Sequence, residues 1–251
     1  MDRGTAFPGK STVAGRSATR SRFFLYMALA FLAIAVTGFS TTFFLPLARG
    51  TFAAPPVVHV HGILLFSWIV FLIAQASLIQ SRSVRVHRRL GWAGALLCAA
   101  IVVSGVMVGL FATHRDLAAG VGDLALGNFV NIVIEMILFG ALVVAAVVLR
   151  RDSESHKRLL LLATISVLGP AWVRFRHFMP FIDNPFVVFS FVADSVLLVA
   201  IARDLVVLKR VHPVYLWAGG AMVMVHVIEL AAIESAAWLR IARWLLGDAA
   251  A

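Results

Sequence analysis

Charged residues and cysteine are both scarce in this sequence. Only 14% of its 251 residues are Asp, Glu, Lys or Arg, whereas soluble globular domains carry about 25%. The single cysteine, Cys98, excludes an internal disulfide and any metal or redox site that needs two thiolates. These absences argue against a soluble globular protein and against a disulfide-stabilised one.

Long apolar runs stand in place of the missing charge, and 61% of the residues are hydrophobic. Seven runs reach or exceed the roughly 18 residues that indicate a membrane span. We therefore predict an all-α, polytopic transmembrane helix bundle that occupies residues 23–233. The seven predicted helices cover about residues 23–47, 57–80, 89–112, 125–149, 157–178, 186–207 and 213–233. A Gly169-Pro170 pair inside the fifth predicts a kink or break there.

The two ends of the chain differ from this central region. Residues 1–22 are polar and contain five basic residues, which predicts a disordered cytoplasmic tail. The apolar run that follows is longer than the 7–15 residues of a signal-peptide core, so we expect a retained first helix. Within residues 234–251, aromatic and aliphatic residues alternate with Arg240 and Arg243. This pattern predicts a short helix in the membrane interface, followed by a tail.

The net charge of +10 arises from short clusters of Lys and Arg between the apolar runs. Such clusters are typical of membrane topology determinants, so the lipid bilayer rather than nucleic acid is the expected partner. Sixteen of the 22 Lys and Arg residues fall on the side that holds the N-terminus. The positive-inside rule predicts that this side is cytoplasmic and that the C-terminus lies outside.

Polar residues recur at similar depth in the outer halves of several predicted helices. Buried ionisable residues in membranes usually face the bundle interior or a cavity, so we expect these to form one outer polar cluster. The alternative interpretation is a set of structural ion pairs, with Arg174 balancing the carboxylates. The predicted members are His61, Asn131, Glu135, Arg174, His177, Asp194, His226 and Glu229.

Three predicted helices also begin on the inner side with a histidine, namely His87, His156 and His212. One interpretation is that these side chains extend toward the lipid headgroups beside Lys and Arg. The other is that they bind an acidic headgroup or a cofactor.

Three functions remain open at this point. The first is a membrane oxidoreductase or electron carrier with haem b, since a two-haem protein needs imidazoles near both faces. Its candidate ligands are His61, His87, His156, His177, His212 and His226. The second is a proton-coupled transporter or channel that uses Glu135, Asp194 and Glu229. The third is an intramembrane enzyme that modifies a lipid, with carboxylates and His226 as acid and base, or with a metal held by His61, His226 and Glu229, with Glu135 as a further candidate ligand.

Several strings resemble an uncharacterised family of bacterial seven-helix integral membrane proteins. They include His61-Gly-Ile-Leu-Leu-Phe-Ser-Trp68, His87-Arg-Arg-Leu-Gly91, His156-Lys-Arg-Leu-Leu160 and His212-Pro-Val-Tyr-Leu-Trp217. The resemblance implies a multi-pass protein of the bacterial inner membrane, and it assigns no catalytic role. The boundary histidines are also loosely similar to those of cytochrome-b561-type bundles. A small-molecule or lipid ligand is compatible with each of these alternatives.

Overall fold

The computed structural model describes residues 22–246, and every regular element in that range is helical. Seven of the helices are long and apolar enough to cross a membrane, which confirms the predicted all-α, seven-span architecture. The predicted tail lies almost wholly in residues 1–21, and residues 247–251 also fall outside the described range. The helices are α1 Phe23–Ala48, α2 Pro56–Gln80, α3 Val84–Ala118, α4 Asp123–Val148, α5 Ser153–His177, α6 Pro185–Leu208, α7 Tyr215–Ala232 and α8 Ala236–Leu246.

Successive spans run in opposite directions, which sorts the connections onto two sides of the membrane. The short connections 81–83, 149–152 and 209–214 lie on the side where α1 begins. All three contain Arg or Lys, and we call this side the basic side. The connections 49–55, 119–122, 178–184 and 233–235 lie on the opposite side, which we call the far side.

The fifth span, α5, is the most buried of the seven. Leu162, Ala163 and Thr164 are fully enclosed at its centre. The indole Nε1–H of Trp68 donates to the Thr164 hydroxyl at 3.2 Å and so links α2 to α5. Trp68 and Gln75 are both buried, so the stripe of α2 that they share faces the bundle.

Three spans depart from regular α-helix. α5 is interrupted after Ser166 and resumes at Gly169 with Pro170 in its first turn, which confirms the break predicted from this Gly-Pro pair. A proline inside a helix removes one backbone hydrogen bond and collides with the preceding turn. α1 and α7 each contain one turn of π-helix, at Ser40–Phe44 and Tyr215–Gly219. Such turns occur frequently at functional sites.

Gly38 is where α1 packs against the restarted part of α5. A Cβ atom at this position would overlap the backbone carbonyl of Ala171, which cannot move aside as a flexible side chain would. We expect Gly38→Ala to lower the free energy of unfolding by about 1–3 kcal/mol, as overpacking does. Gly62→Ala is the matched control, because a Cβ at Gly62 meets nothing within 4 Å. Thermal unfolding of both variants in detergent measures the difference, and equal melting temperatures would contradict this packing.

The last helix, α8, packs across the first turns of α4, on the far side. Its buried residues Leu239 and Ala242 form a small apolar cluster with Leu126 and Val130 of α4. Trp244 on the other face is 79% exposed. The position of this helix in the membrane interface remains a prediction, which its amphipathic pattern favours.

Candidate functional site

His226 lies between two carboxylates from neighbouring helices. Its Nδ1–H donates to Asp194 Oδ1 of α6 at 2.7 Å. Its Nε2 lies 2.9 Å from Glu135 Oε1 of α4, but this contact lacks the direction of a hydrogen bond, since both atoms have no hydrogen-bond partner. The Asp194 contact is therefore the one that orients the ring, and the Glu135 contact is an ion pair whenever the imidazole is protonated.

A third carboxylate, Glu229, stands one helical turn beyond His226 on α7. It is 7% exposed, and it interacts electrostatically with Glu135, His226 and Asp194. Its Oε1 is buried without a hydrogen-bond partner, as are both carboxylate oxygens of Glu135. We refer to Glu135, Asp194, His226 and Glu229 as the acid cluster. It brings together three acceptor oxygens that no donor in residues 22–246 satisfies.

Helical spacing explains how three separate segments supply this cluster. His226 and Glu229 are three residues apart on α7 and therefore point to the same side. Asp194 lies nine residues into α6, and Glu135 lies twelve residues into α4, or roughly 14 and 18 Å along those helices. All of these positions are inside membrane-spanning segments. The Glu135 side chain keeps 21% of its surface exposed, but both of its carboxylate oxygens are buried.

Two residues predicted to belong to this group have other partners. Arg174 donates through Nε to the Thr42 hydroxyl at 3.1 Å and through Nη1 to the Pro170 carbonyl at 2.6 Å. Its guanidinium also stacks over the Phe39 ring at 4.1 Å. Arg174 therefore ties α5 to α1 and does not supply the counter-charge expected for the carboxylates. Asn131 accepts from the Trp238 indole at 2.9 Å and anchors α8.

The two remaining predicted members also lie apart from the acid cluster. His61 of α2 contacts the Ser104 hydroxyl of α3 through Nδ1 at 2.9 Å. Because Ser104 donates its own hydrogen to the Ile101 carbonyl, His61 Nδ1–H is the donor in this pair. His177 is exposed at the end of the short 3₁₀ turn that closes α5. The structure therefore brings together four of the eight predicted residues.

A second charged group, which the sequence did not suggest, lies near the basic side. Arg158 and Asp204 are both completely buried and form a two-pronged ion pair, with Nε–Oδ2 at 2.9 Å and Nη2–Oδ1 at 2.7 Å. Arg158 also reaches Glu154 at 2.6 Å, and Arg203 reaches Asp204 at 2.8 Å. We call these four residues the arginine network. The feature of the sequence that could have revealed this network is Asp204, a single carboxylate within an apolar run.

The start of α5 fixes the position of Arg158. Asp152 caps the helix by accepting from the backbone N–H of Glu154 at 3.0 Å and of Ser155 at 3.3 Å, as helix N-caps do. The Ser155 hydroxyl donates to the same carboxylate, and this bond is the main reason why the pKa of Asp152 is lowered. Asp152 thus stays ionised, and the cap intact, at neutral pH.

Two of the three inner histidines lie side by side. The rings of His87 and His156 are 6.4 Å apart and nearly perpendicular, and His156 Nδ1–H donates to the Ala146 carbonyl at 2.8 Å. His212 is separate, in the connection before α7, where its Nδ1 accepts from the backbone N–H of Val214. Burial, followed by the charge of Arg158, lowers the pKa of His212. A neutral His212 contributes little to binding an acidic headgroup.

The predicted haem site on the far side does not fit these residues. An axial ligand must offer a free imidazole nitrogen to the iron, but both nitrogens of His226 face carboxylates. His177 is exposed, and His61, whose Nδ1 contacts Ser104 while Nε2 stays free, is the one far-side candidate left, whereas a haem between facing helices needs two. Within residues 22–246, no three His, Cys, Asp or Glu residues are placed to hold a metal ion. No step is therefore derived through haem or a metal.

An apolar groove of about 570 Å³ opens between α1, α2 and α3. Its wall is mainly aromatic and aliphatic, and it includes Phe43, Phe66, Phe71 and Leu97. None of the acid-cluster residues lines it. The groove therefore offers no binding space next to the groups that carry the chemistry.

No protein-family model, curated protein or solved structure matches the chain. The likeness to cytochrome-b561-type bundles gains no support from these comparisons.

Proposed function

We propose that this integral membrane protein takes up and releases protons at the acid cluster and couples this exchange to the movement of a solute. The observation that carries the proposal is the placement of His226 between Asp194 and Glu135, with Glu229 beside them. Buried ionisable residues of this kind mark proton relays and ion pathways in membrane proteins. Among the three functions that the sequence left open, the structure favours the proton-coupled transporter.

Charge balance supports proton uptake. Three ionised carboxylates beside one imidazolium would leave two net negative charges in a membrane-spanning segment. Two like charges about 4 Å apart repel by about 4 kcal/mol at an effective dielectric constant of about 20. Arg174, the predicted counter-ion, is bound to Thr42 and Pro170 instead. Protons, or a small cation, must therefore neutralise the cluster.

The unsatisfied oxygens of Glu135 and Glu229 indicate where those protons reside. An unpaired acceptor buried in a membrane costs free energy, whereas a protonated carboxyl group can donate to a neighbouring oxygen. Both carboxylate oxygens of Glu135 lack a hydrogen-bond partner, and Oε1 lies 2.9 Å from His226 Nε2, so we place proton exchange at Glu135. His226, held by Asp194, then relays the proton between Glu135 and Asp194.

The other two functions have less support from the described residues. An electron carrier requires imidazole nitrogens that His226 does not have free. A lipid-modifying enzyme uses its acid and base on a substrate held beside them, and the apolar groove lies elsewhere, whereas proton exchange needs only the ionisable groups themselves.

The distribution of basic residues also supports an orientation and a location. Following the positive-inside rule, we place the basic side in the cytoplasm and the far side outside, so the acid cluster lies nearer the exterior than the arginine network does. The resemblance to bacterial seven-helix proteins supports placement in the bacterial inner membrane.

Charge movement after a pH jump tests the proposed function without knowledge of the solute. Proteoliposomes on a solid-supported membrane should give a transient current when the pH of the bath is stepped, because protons enter the acid cluster. We expect Glu135→Gln to reduce this current by most of its amplitude, since an amide cannot ionise. Glu234→Gln is the matched control, because Glu234 is exposed in the connection after α7.

The two possible outcomes are clearly distinct. A current that is lost in Glu135→Gln and kept in Glu234→Gln supports proton exchange at the cluster. A wild-type protein without a transient current, or one in which both variants behave alike, contradicts it.

A further inference from the structure

Helix α6 contributes to both charged groups, through Asp194 in the acid cluster and Asp204 in the arginine network. On α6, Asp194 and Asp204 are ten residues apart, which is about 15 Å along the helix. Around the helix axis, the directions of the two side chains differ by about 80°. On α7, Gly219, Met222, His226 and Glu229 follow at intervals of three and four residues and share one stripe. The two charged groups therefore lie at different depths along α6, with α7 beside the acid cluster and α5 beside the arginine network.

The layer between the two charged groups is apolar and tightly closed. Leu162 of α5 and Met222 of α7 are completely buried, and Leu197 of α6 is 6% exposed. All three belong to one apolar core cluster. We call them the septum. None of these side chains can carry a proton, so the septum separates the far-side carboxylates from Asp204.

Gly219 sets how closely the septum packs. It ends the π-helical turn of α7, and a Cβ atom there would lie 3.0 Å from Leu197 Cδ2 and 3.6 Å from Leu162 Cδ2. The leucines of α5 and α6 therefore pack directly on the glycine backbone of α7. A π-helical turn is a local irregularity in hydrogen bonding, which makes this part of α7 the segment best suited to shift against them.

We infer that protons pass from the acid cluster through the septum to Asp204, and that the arginine network is the second proton-binding site on this path. This inference rests on the proposed function and adds the path that the protons take through the helix bundle. Asp204 accepts three hydrogen bonds from Arg158 and Arg203, so a proton that reaches its carboxylate displaces one of them. Tyr215 lies next to this second site, since it is buried beside Arg158 and its hydroxyl has no hydrogen-bond partner. Water must enter the septum for a proton to cross it.

Proton leakage through septum variants tests the route. Proteoliposomes that contain a trapped pH indicator and carry a potassium diffusion potential report proton entry. Leu197→Ala should raise the leak severalfold, because the smaller side chain admits water. Leu198→Ala is the matched control on the same helix, since Leu198 is 63% exposed. Met222→Ala opens the septum from α7 and should give the same leak, while Leu197→Met keeps the volume and should behave as wild type.

A double variant separates a specific path from general damage. Adding Glu135→Gln to Leu197→Ala should return the leak toward the wild-type value, because protons then lack their entry group. The inferred route is wrong if Leu197→Ala and Leu198→Ala leak equally, or if the leak persists after Glu135→Gln. Failure of the proposed function is a different result, namely the absence of a pH-jump current in the wild-type protein.

Discussion

Replacing Arg158 by Met is expected to lower the free energy of unfolding by about 3–5 kcal/mol, the usual cost of leaving a buried charge without its partner. Arg158 and Asp204 are both completely buried, and Arg158 supplies two of the three hydrogen bonds that Asp204 accepts from arginine side chains. Unfolding in detergent with increasing denaturant measures the loss. Arg150→Met is the control, because Arg150 is exposed in the connection before α5.

The double variant Arg158→Met/Asp204→Leu distinguishes the missing partner from a missing contact. Replacing a buried ion pair by apolar side chains of similar size is often neutral or stabilising, so the double variant should regain much of the lost stability. If Arg158→Met is as stable as Arg150→Met, the buried ion pair contributes nothing. If the double variant is less stable than Arg158→Met, the loss has another cause.

His226→Leu is expected to make stability strongly dependent on pH. The variant leaves Glu135, Asp194 and Glu229 together without the imidazole. Ionisation then places like charges beside one another in a medium of low dielectric constant, whereas protonation at acidic pH removes the repulsion. The melting temperature of His226→Leu should therefore fall as the pH rises, and more steeply than that of the wild-type protein.

His114→Leu provides the control for this pH series, since His114 is exposed near the end of α3. A parallel pH dependence of His226→Leu and His114→Leu would show that the three carboxylates do not depend on His226 for their charge balance. A steeper dependence in His226→Leu alone would support the arrangement of the acid cluster.

The number of spans could be predicted from the sequence, because the apolar run that crosses a bilayer is itself the signal. The helix ends were less accurate. The third predicted helix covered 89–112, while α3 extends from Val84 to Ala118. Its additional turns contain Arg85, Arg88, Arg115 and Asp116. Hydropathy detects the membrane core, and helices continue beyond it.

The acid cluster could be predicted only in part, because spacing along the chain gives depth and relative face but not the rotation of a helix against its neighbours. Glu135, Asp194, His226 and Glu229 share a depth and meet. Arg174 shares that depth as well, but the Gly-Pro break turns its helix segment toward Thr42 of α1. The Arg158–Asp204 pair joins residues 46 positions apart, and the sequence alone marked Arg158 only as one of several basic residues between two apolar runs.

Infrared difference spectroscopy between acidic and alkaline pH tests proton binding at the acid cluster most directly. The wild-type protein should show a carboxylic acid C=O band that shifts in heavy water, and Glu135→Gln/Glu229→Gln should lose most of it. Glu234→Gln should keep it. If the double variant and Glu234→Gln give the same difference spectrum as the wild-type protein, these carboxylates do not exchange protons and the proposed function is wrong.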